Sequence, residues 1–283
     1  MKSMVIGMLA ETPVHPGAGR TSGFVDLPVA RESTTDYPVI VGSSVKGALR
    51  DRAREEWPDD VRDGDKVSLS PEVAKAFGKQ EGAGDLMVSD ARLLLLPVRS
   101  LTGQYKWATC PYLLERLCRD IRRSGAGNSL EIPEQSGKPK KGTVLSMGDG
   151  RLYLEEREFE IAGSVDDSVI KSIGQFMPHE EAVRRLADQL AMLNDDDFKW
   201  FASYGLSVNA RNALDEKSKT TIPGALWYEE TLSPDSLFYT IIFERREGSL
   251  GFIRSLFEKI PYLQVGGNET VGQGWFSVKL LEG

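Results

Sequence analysis

Apolar residues fall in short runs separated by glycine- and proline-rich breaks, and the period within each run shows which element it predicts. Met4 to Leu9 is an apolar run of strand length, which Glu11 to Arg20, with Pro13, Pro16, Gly17 and Gly19, cannot continue. The loop predicted there extends through Gly23 to Pro28. Gly42-Ser43-Ser44 opens a segment in which Val45, Ala48, Leu49, Ala53 and Trp57 recur at helical spacing, with Pro58 as its stop. Ser43 or Ser44 is the expected N-cap, because a hydroxyl can accept from the free amides of the first turn. An acidic linker, Asp59 to Asp65, and a short helix near Pro71 to Phe77 then lead to a strand over Leu86 to Val98.

Pro111 to Arg123 repeats the helical period through Leu113, Leu114, Leu117 and Ile121, with proline in the first turn. Ser124 to Gly150 is polar, contains Lys138-Pro139-Lys140-Lys141 and reads as a mobile loop. A strand is expected over Leu152 to Ile161, and amphipathic helices over Glu180 to Leu193 and Asp196 to Tyr204. Leu206 to Leu232 reads as a long hairpin whose arms are joined by the polar stretch Asp215 to Lys219. Leu237 to Phe243 alternates as a strand, Ser249 to Ile260 forms a helix on Phe252, Ile253, Leu256 and Phe257, and Trp275 to Leu281 is a strand again. Two strand, helix, strand units with irregular material between them predict an α+β fold, a ferredoxin-like βαββαβ sheet carrying large insertions.

Composition narrows the class. At 283 residues, with 40% hydrophobic and 27% charged positions, the chain matches ordinary globular proteins and falls outside the disordered, collagenous and coiled-coil classes. No apolar run approaches the ~20 residues of a membrane helix. Met1 to Ala10 reads as a first strand and not a signal peptide, because Glu11 and Pro13 follow without a small-residue cleavage site. Cys110 and Cys118 form no CxxC pair and neither lies close in sequence to His15 or His179, so a zinc site of the usual spacing is not expected and the chain reads as cytoplasmic. The net charge of −7 conceals an asymmetry: residues 1–150 hold 21 Lys+Arg against 20 Asp+Glu, and residues 151–283 hold 14 against 22. A nucleic-acid cleft is therefore still open to the first half, where Lys46, Arg50, Arg52 and Arg54 cluster, as do Arg116, Arg119, Arg122 and Arg123. The other reading of both clusters is a solvated helix face interleaved with Asp51, Glu55, Glu115 and Asp120.

Four segments could carry chemistry. The run Val265 to Trp275, which includes Gly266, Gly267, Asn268, Gly272 and Gly274, lacks a Walker ending and precedes a strand, so nucleotide hydrolysis is not indicated. It is either a turn that needs positive φ angles or a loop lying along a phosphodiester backbone. Gly42 to Arg50 places small residues at a helix start, with Lys46 and Arg50 one turn apart on one face. His15 and Asp26 share one glycine-rich loop, where Asp26 is either chemical or a local Asx turn. Glu229 and Glu230 follow Tyr228 on a hairpin arm, where alternation sends them to opposite faces.

Taken in order, His15-Pro16-Gly17 through Gly23-Phe24-Val25-Asp26-Leu27-Pro28-Val29, then Gly42 to Arg50, Ala225 to Glu230 and Gly266 to Gly274 resemble the repeat-associated mysterious protein (RAMP) superfamily. More narrowly, they resemble the target-slicing backbone subunits of Cmr-type (type III-B) CRISPR effector complexes. The resemblance implies an RRM-like palm over 1–58 and 233–283 with parts of 86–205, a helical fingers insertion over about 59–150, and a thumb hairpin over about 206–232. It implies stacking in a helical filament with further copies and other subunits of the complex, on a guide RNA paired to a complementary target RNA, with no membrane partner. Asp26 then matches the catalytic aspartate, as a base or as the ligand of a Mg²⁺ or another divalent cation, with His15 and Glu229 or Glu230 at accessory catalytic positions. Ser43, Ser44, Lys46, Arg50 and the glycine loop match RNA-contacting positions. Two other roles remain within the same superfamily: a guide-precursor processing endonuclease, and a structural RNA-binding subunit without chemistry.

Overall fold

The computed structural model describes residues 2–21, 23–58, 60–62, 66–79, 82–126, 130, 134–135 and 137–282. Asp59 and residues 63–65 of the expected acidic linker lie outside them, as do 127–129, 131–133 and 136 of the polar tract. In chain order the first part runs β1 (Ser3–Ala10), β2 (Val39–Ile40), α1 (Gly42–Glu56), β3 (Asp60–Arg62), β4 (Lys66–Ser68), α2 (Pro71–Phe77), β5 (Gly78–Lys79), β6 (Gly82–Ala83), β7 (Leu86–Val88), β8 (Ala91–Arg99), β9 (Tyr105–Thr109) and α3 (Pro111–Ser124). The middle comprises β10 (Thr143–Ser146), β11 (Arg151–Leu154), β12 (Arg157–Gly163), α4 (Asp167–Gly174), α5 (Glu180–Gln189), β13 (Leu190–Leu193) and α6 (Asp195–Tyr204). The last part is β14 (Ser207–Leu214), β15 (Thr221–Thr231), β16 (Leu237–Glu244), α7 (Leu250–Phe257), β17 (Tyr262–Gln264) and β18 (Trp275–Glu282).

One large mixed sheet runs in the order β11-β12-β10-β13-β9-β8-β16-β1-β18-β17. Within it β8, β16, β1 and β18 are mutually antiparallel neighbours, α1 lies in the chain between β1 and β8, and α7 lies between β16 and β18. Alternation along β1 serves two cores. Met4, Ile6 and Met8 join the cluster containing Val45, Leu49 and Ile253, while Val5 and Leu9 join the one containing Leu117, Ile173 and Leu186. Helices therefore cover both faces, which is why β1 is a continuous apolar run buried along its whole length.

The structure departs from the sequence expectations at identifiable points. The expected strand over Leu86 to Val98 breaks at Ser89 and Asp90, because β7 and β8 both pair with β16 and the Ser89 hydroxyl accepts the Ile241 amide at 2.9 Å between them. The break frees Asp90 to cap α1: its Oδ1 accepts from the Gly42 amide at 2.7 Å, and no side chain at the N-cap position, Val41, does so. The serine N-cap is thus replaced by a distant carboxylate, which also suits the positive end of the helix. The helix expected to reach Leu193 ends at Gln189, since Leu190–Leu193 is buried as a strand between β9 and β10. Leu152 to Ile161 is two strands, turned at Glu155 in a left-handed conformation with φ 49°. The expected loop 124–150 contributes β10 to the large sheet, between β12 and β13, so part of the segment expected as an insertion is continuous with the main sheet.

Candidate active site

The chain from Val14 to Ala30 doubles back on itself and is stitched to the base of the β14–β15 hairpin. Gly17 bridges Val29, and the Ala30 amide donates to Pro16 O at 2.6 Å. Val14 and Leu232 exchange two backbone hydrogen bonds, the Leu27 amide donates to Tyr228 O at 3.0 Å, and the Glu230 amide donates to Leu27 O at 2.9 Å. This pairing brings His15, Asp26, Glu229 and Glu230 together from positions about two hundred residues apart in the chain.

The two glutamates do face opposite ways, and each is buried in a separate task. Glu230 Oε2 accepts from the Val29 amide at 3.0 Å, and Oε1 forms an ion pair with Arg31 at 2.8 Å. Glu229 Oε1 accepts from Arg211 at 3.1 Å, across the hairpin, and from Asn268 Nδ2 at 2.8 Å, in the glycine loop. Both carboxylates therefore hold segments together, Glu230 the Asp26 loop and Glu229 the loop at Asn268.

His15 is buried, and its Nδ1 lies 2.8 Å from Glu230 O. A carbonyl oxygen only accepts, so Nδ1 carries the proton and, in the neutral ring, Nε2 presents its lone pair. A Cβ at Gly17 would lie 2.9 Å from Nε2, so the missing side chain keeps that nitrogen open. Asp26 is half-buried, and its Oδ2 accepts from the Tyr228 amide at 2.8 Å. The anchoring bond crosses to the hairpin; it is not the local Asx turn that spacing also allowed.

The glycine loop contributes mainly by close approach. Gly266 has φ 95°, and a Cβ there would sit 2.6 Å from His15 O. The Gly267 amide donates to that same oxygen at 3.0 Å, and the Gly274 amide to Pro13 O at 2.9 Å. Those of Val271, Gly272 and Gln273 are also spent inside the protein, on Asn268 O and Glu269 O. The amides of Gly267, Gly272 and Gly274 are thus engaged within the protein. The loop supports the His15 segment from behind.

At α1, Ser43 and Ser44 are exposed, and Lys46 and Arg50 are partly buried. The buried Arg50 Nε has no hydrogen-bond partner. The helix packs beside β17, the strand that enters the glycine loop. Residues that the sequence reading missed are Arg31 and Asp90, whose partners lie far away in the chain and leave no local signal, and Arg211, whose partner stands on the facing arm of the hairpin. Arg20 and Phe24, both exposed on the Asp26 loop, were also missed. An aromatic inside an otherwise small and polar loop was the available signal for Phe24.

Among the described residues, no group of three or more His, Cys, Asp or Glu could hold a metal ion. Mg²⁺ commonly keeps several waters and takes one or two carboxylates plus substrate phosphates. A half-buried Asp26 fits that mode as one ligand beside an RNA phosphate; it does not fit a resident all-protein site.

The family model of the RAMP superfamily matches residues 8–277. The Cmr endoribonuclease Cmr4 of Pyrococcus furiosus is 36% identical over 293 residues, covering 100% of this chain and 97% of that protein. A Cmr subunit of Saccharolobus solfataricus, also called Cmr4, is 23% identical, with 96% and 94% covered. Among solved structures, oligomeric Cmr4 from Pyrococcus furiosus superposes with a TM-score of 0.74 at 30% identity, covering 100% and 99% of the two chains. A chain of the type III-B Cmr-beta complex bound to cognate target RNA gives 0.75 at 20% identity, with 99% and 97% covered, a likeness of fold. With the family model spanning nearly the whole chain and a full-length relative above one-third identity, the chain belongs to the RAMP superfamily.

Proposed function

We propose that this chain is a guide-RNA-binding backbone subunit of a type III-B CRISPR ribonucleoprotein, and that it cuts complementary target RNA endonucleolytically at regular intervals. It works in the cytoplasm, in a helical filament with further copies of itself and other subunits. The β8-β16-β1-β18 sheet with α1 and α7 is its ferredoxin-like, RRM-like palm, and the β14–β15 hairpin is its thumb. The observation that carries this reading is the meeting of the Asp26 loop, the hairpin base and the glycine loop at one place, in a chain whose full-length relative is an endoribonuclease. That relationship, and a half-buried carboxylate left at the loop edge, favour slicing over a purely structural role. The projecting hairpin favours a filament over a solitary precursor-processing enzyme.

RNA carries its own nucleophile. The 2′-oxygen bonds to phosphorus as the P–O5′ bond breaks, leaving a 2′,3′-cyclic phosphate and a 5′-hydroxyl; Asp26 takes the 2′-hydroxyl proton and solvent returns one to O5′. The Tyr228 amide holds Asp26 in place for that transfer, and His15, with its proton on Nδ1, leaves Nε2 as an acceptor beside the same loop. Asp26 is also the residue that would hold a Mg²⁺, whose chemistry, when bound in place of the base role, would be to neutralise charge developing on the phosphorane. Lys46 and Arg50, at the start of α1 with Ser43 and Ser44, contact the guide backbone, where base pairing and not protein supplies sequence specificity.

The test is cleavage of a labelled complementary RNA by the assembled complex. Asp26→Asn should lower the rate by about 10²- to 10⁴-fold, the usual contribution of general-base catalysis, with guide and target binding unchanged. Full activity in the variant would overturn the assignment, and wild-type activity persisting in EDTA would remove the metal.

A further inference from the structure

Phe24 is the most exposed large hydrophobic side chain among the described residues, with a relative accessibility of 103%. It stands on a turn whose two arms are tied together beneath it. The Thr21 amide donates to Asp26 O at 3.0 Å, its hydroxyl donates to Val25 O at 2.8 Å, and the Gly23 amide donates to that hydroxyl at 3.4 Å. The backbone is held while the ring is presented entirely to solvent. Two residues on, Asp26 is anchored to the Tyr228 amide. Two residues span at most about 7 Å, so ring and carboxylate address the same nucleotide or adjacent ones.

We propose that Phe24 stacks on the base of the target nucleotide beside the scissile phosphate and holds it out of the guide–target helix, so that its ribose can adopt the geometry Asp26 requires. The inference rests on the slicing role proposed above. An in-line attack by the 2′-oxygen needs a nucleotide freed from helical stacking, and an aromatic face replaces the stacking energy that the freed base loses. Every base has such a face, so the device works on any target sequence, as a guide-directed slicer requires. The surroundings favour RNA over a protein partner. Phe24 is flanked by Gly23 and the half-buried Val25, with exposed Arg20 on the opposite arm of the turn and no other large exposed hydrophobic side chain between Pro13 and Pro38. A protein-docking core would need a contiguous apolar patch. A lone ring on a turn whose other arm carries an exposed cation suits a base and its phosphate.

The experiment measures single-turnover cleavage by complexes assembled with Phe24→Ala, Phe24→Leu and Phe24→Trp, with Asp26→Asn alongside. Alanine and leucine should slow cleavage by about 5- to 150-fold, the factor that base–aromatic stacking contributes, while tryptophan restores it. Assembly on guide RNA and affinity for target should not change. In the Asp26→Asn background, 2-aminopurine beside the cleavage position should change its emission on Phe24→Ala, and a probe placed between cleavage positions should not. Full activity in the alanine variant, or equal activity with leucine and phenylalanine, overturns the stacking role while leaving Asp26 catalytic. Loss of assembly before target is added overturns it in favour of a contact between subunits. A fully active Asp26→Asn complex would instead refute the catalytic assignment of Asp26 on which this inference rests.

Discussion

Glu230 and Asp26 lie side by side across the same backbone pairing, and they could hardly be treated more differently. Glu230 is buried, with one oxygen on the Val29 amide and the other on Arg31. Asp26 is half-buried, with one oxygen on the Tyr228 amide, in a loop whose outer turn exposes Arg20 and Phe24. The contrast separates scaffold from edge. The carboxylate proposed to react gains its placement from neighbours that are fully committed, while keeping its own access to solvent.

The largest effect on folding should come from breaking the buried side of that pair. Glu230→Ala removes the acceptor of the Val29 amide and the carboxylate partner of Arg31, which keeps only the Asp36 and Ala202 carbonyls, at a cost of about 3–5 kcal/mol, or on the order of 10 °C in melting temperature. The Arg31→Ala, Glu230→Ala double variant should lose less than the sum of the two single changes, because each removes the same interaction. Asp26→Asn, by contrast, should melt within about 0.5 kcal/mol of wild type. Calorimetry on the wild type and the four variants, Arg31→Ala alone included, decides the matter; equal destabilisation by Asp26→Asn and Glu230→Ala would erase the division between scaffold and edge.

A smaller effect is expected behind His15. Gly266→Ala forces a side chain into a positive φ and sets its Cβ against His15 O. The cost should be about 1–3 kcal/mol, and cleavage should fall through the displacement of His15 and not through a loss of RNA affinity. Target binding measured at several salt concentrations separates the two: a reduced salt slope would mean that the loop touches the phosphodiester after all.

The sequence patterns that proved legible are the ones whose cause is local. The βαβ units, the hairpin and the opposite faces of Glu229 and Glu230 follow from period alone. What stayed hidden depends on partners distant in the chain. No spacing shows that Asp90 caps a helix opening 48 residues earlier, or that Arg31 pairs with a glutamate 199 residues away. Leu190–Leu193 was misread because a short buried apolar run has the same appearance in a strand and in a helix end. At the site, the residue types in the Asp26 loop and the glycine loop could be picked out, but not the commitment of the glycine-loop amides to His15 O and Pro13 O.

The smallest effect belongs to a carboxylate that resembles Asp26 in its bonding and differs in its place. At the hairpin tip, Asp215 Oδ1 accepts from the Lys217 amide at 3.0 Å, the Ser218 amide at 2.8 Å and the Ser218 hydroxyl at 2.9 Å. These donors, Ser218 foremost, hold its carboxyl below the usual range. A lowered carboxyl pKa contributes stability that is present above the unfolded value and lost as pH falls through the folded one. The tip is exposed and buries no core, so Asp215→Ala should lower the melting temperature only slightly at neutral pH. That difference from wild type should close as the solution is acidified through the carboxylate range. A gap that persists at low pH would mean that the side chain packs instead of capping. Removing residues 215–219 and closing with a short glycine turn should likewise spare the fold, yet alter the spacing of cuts on target RNA if the hairpin is the thumb. Unchanged spacing would leave the hairpin base, with Glu229 and Glu230, as the only part of the hairpin that cleavage uses.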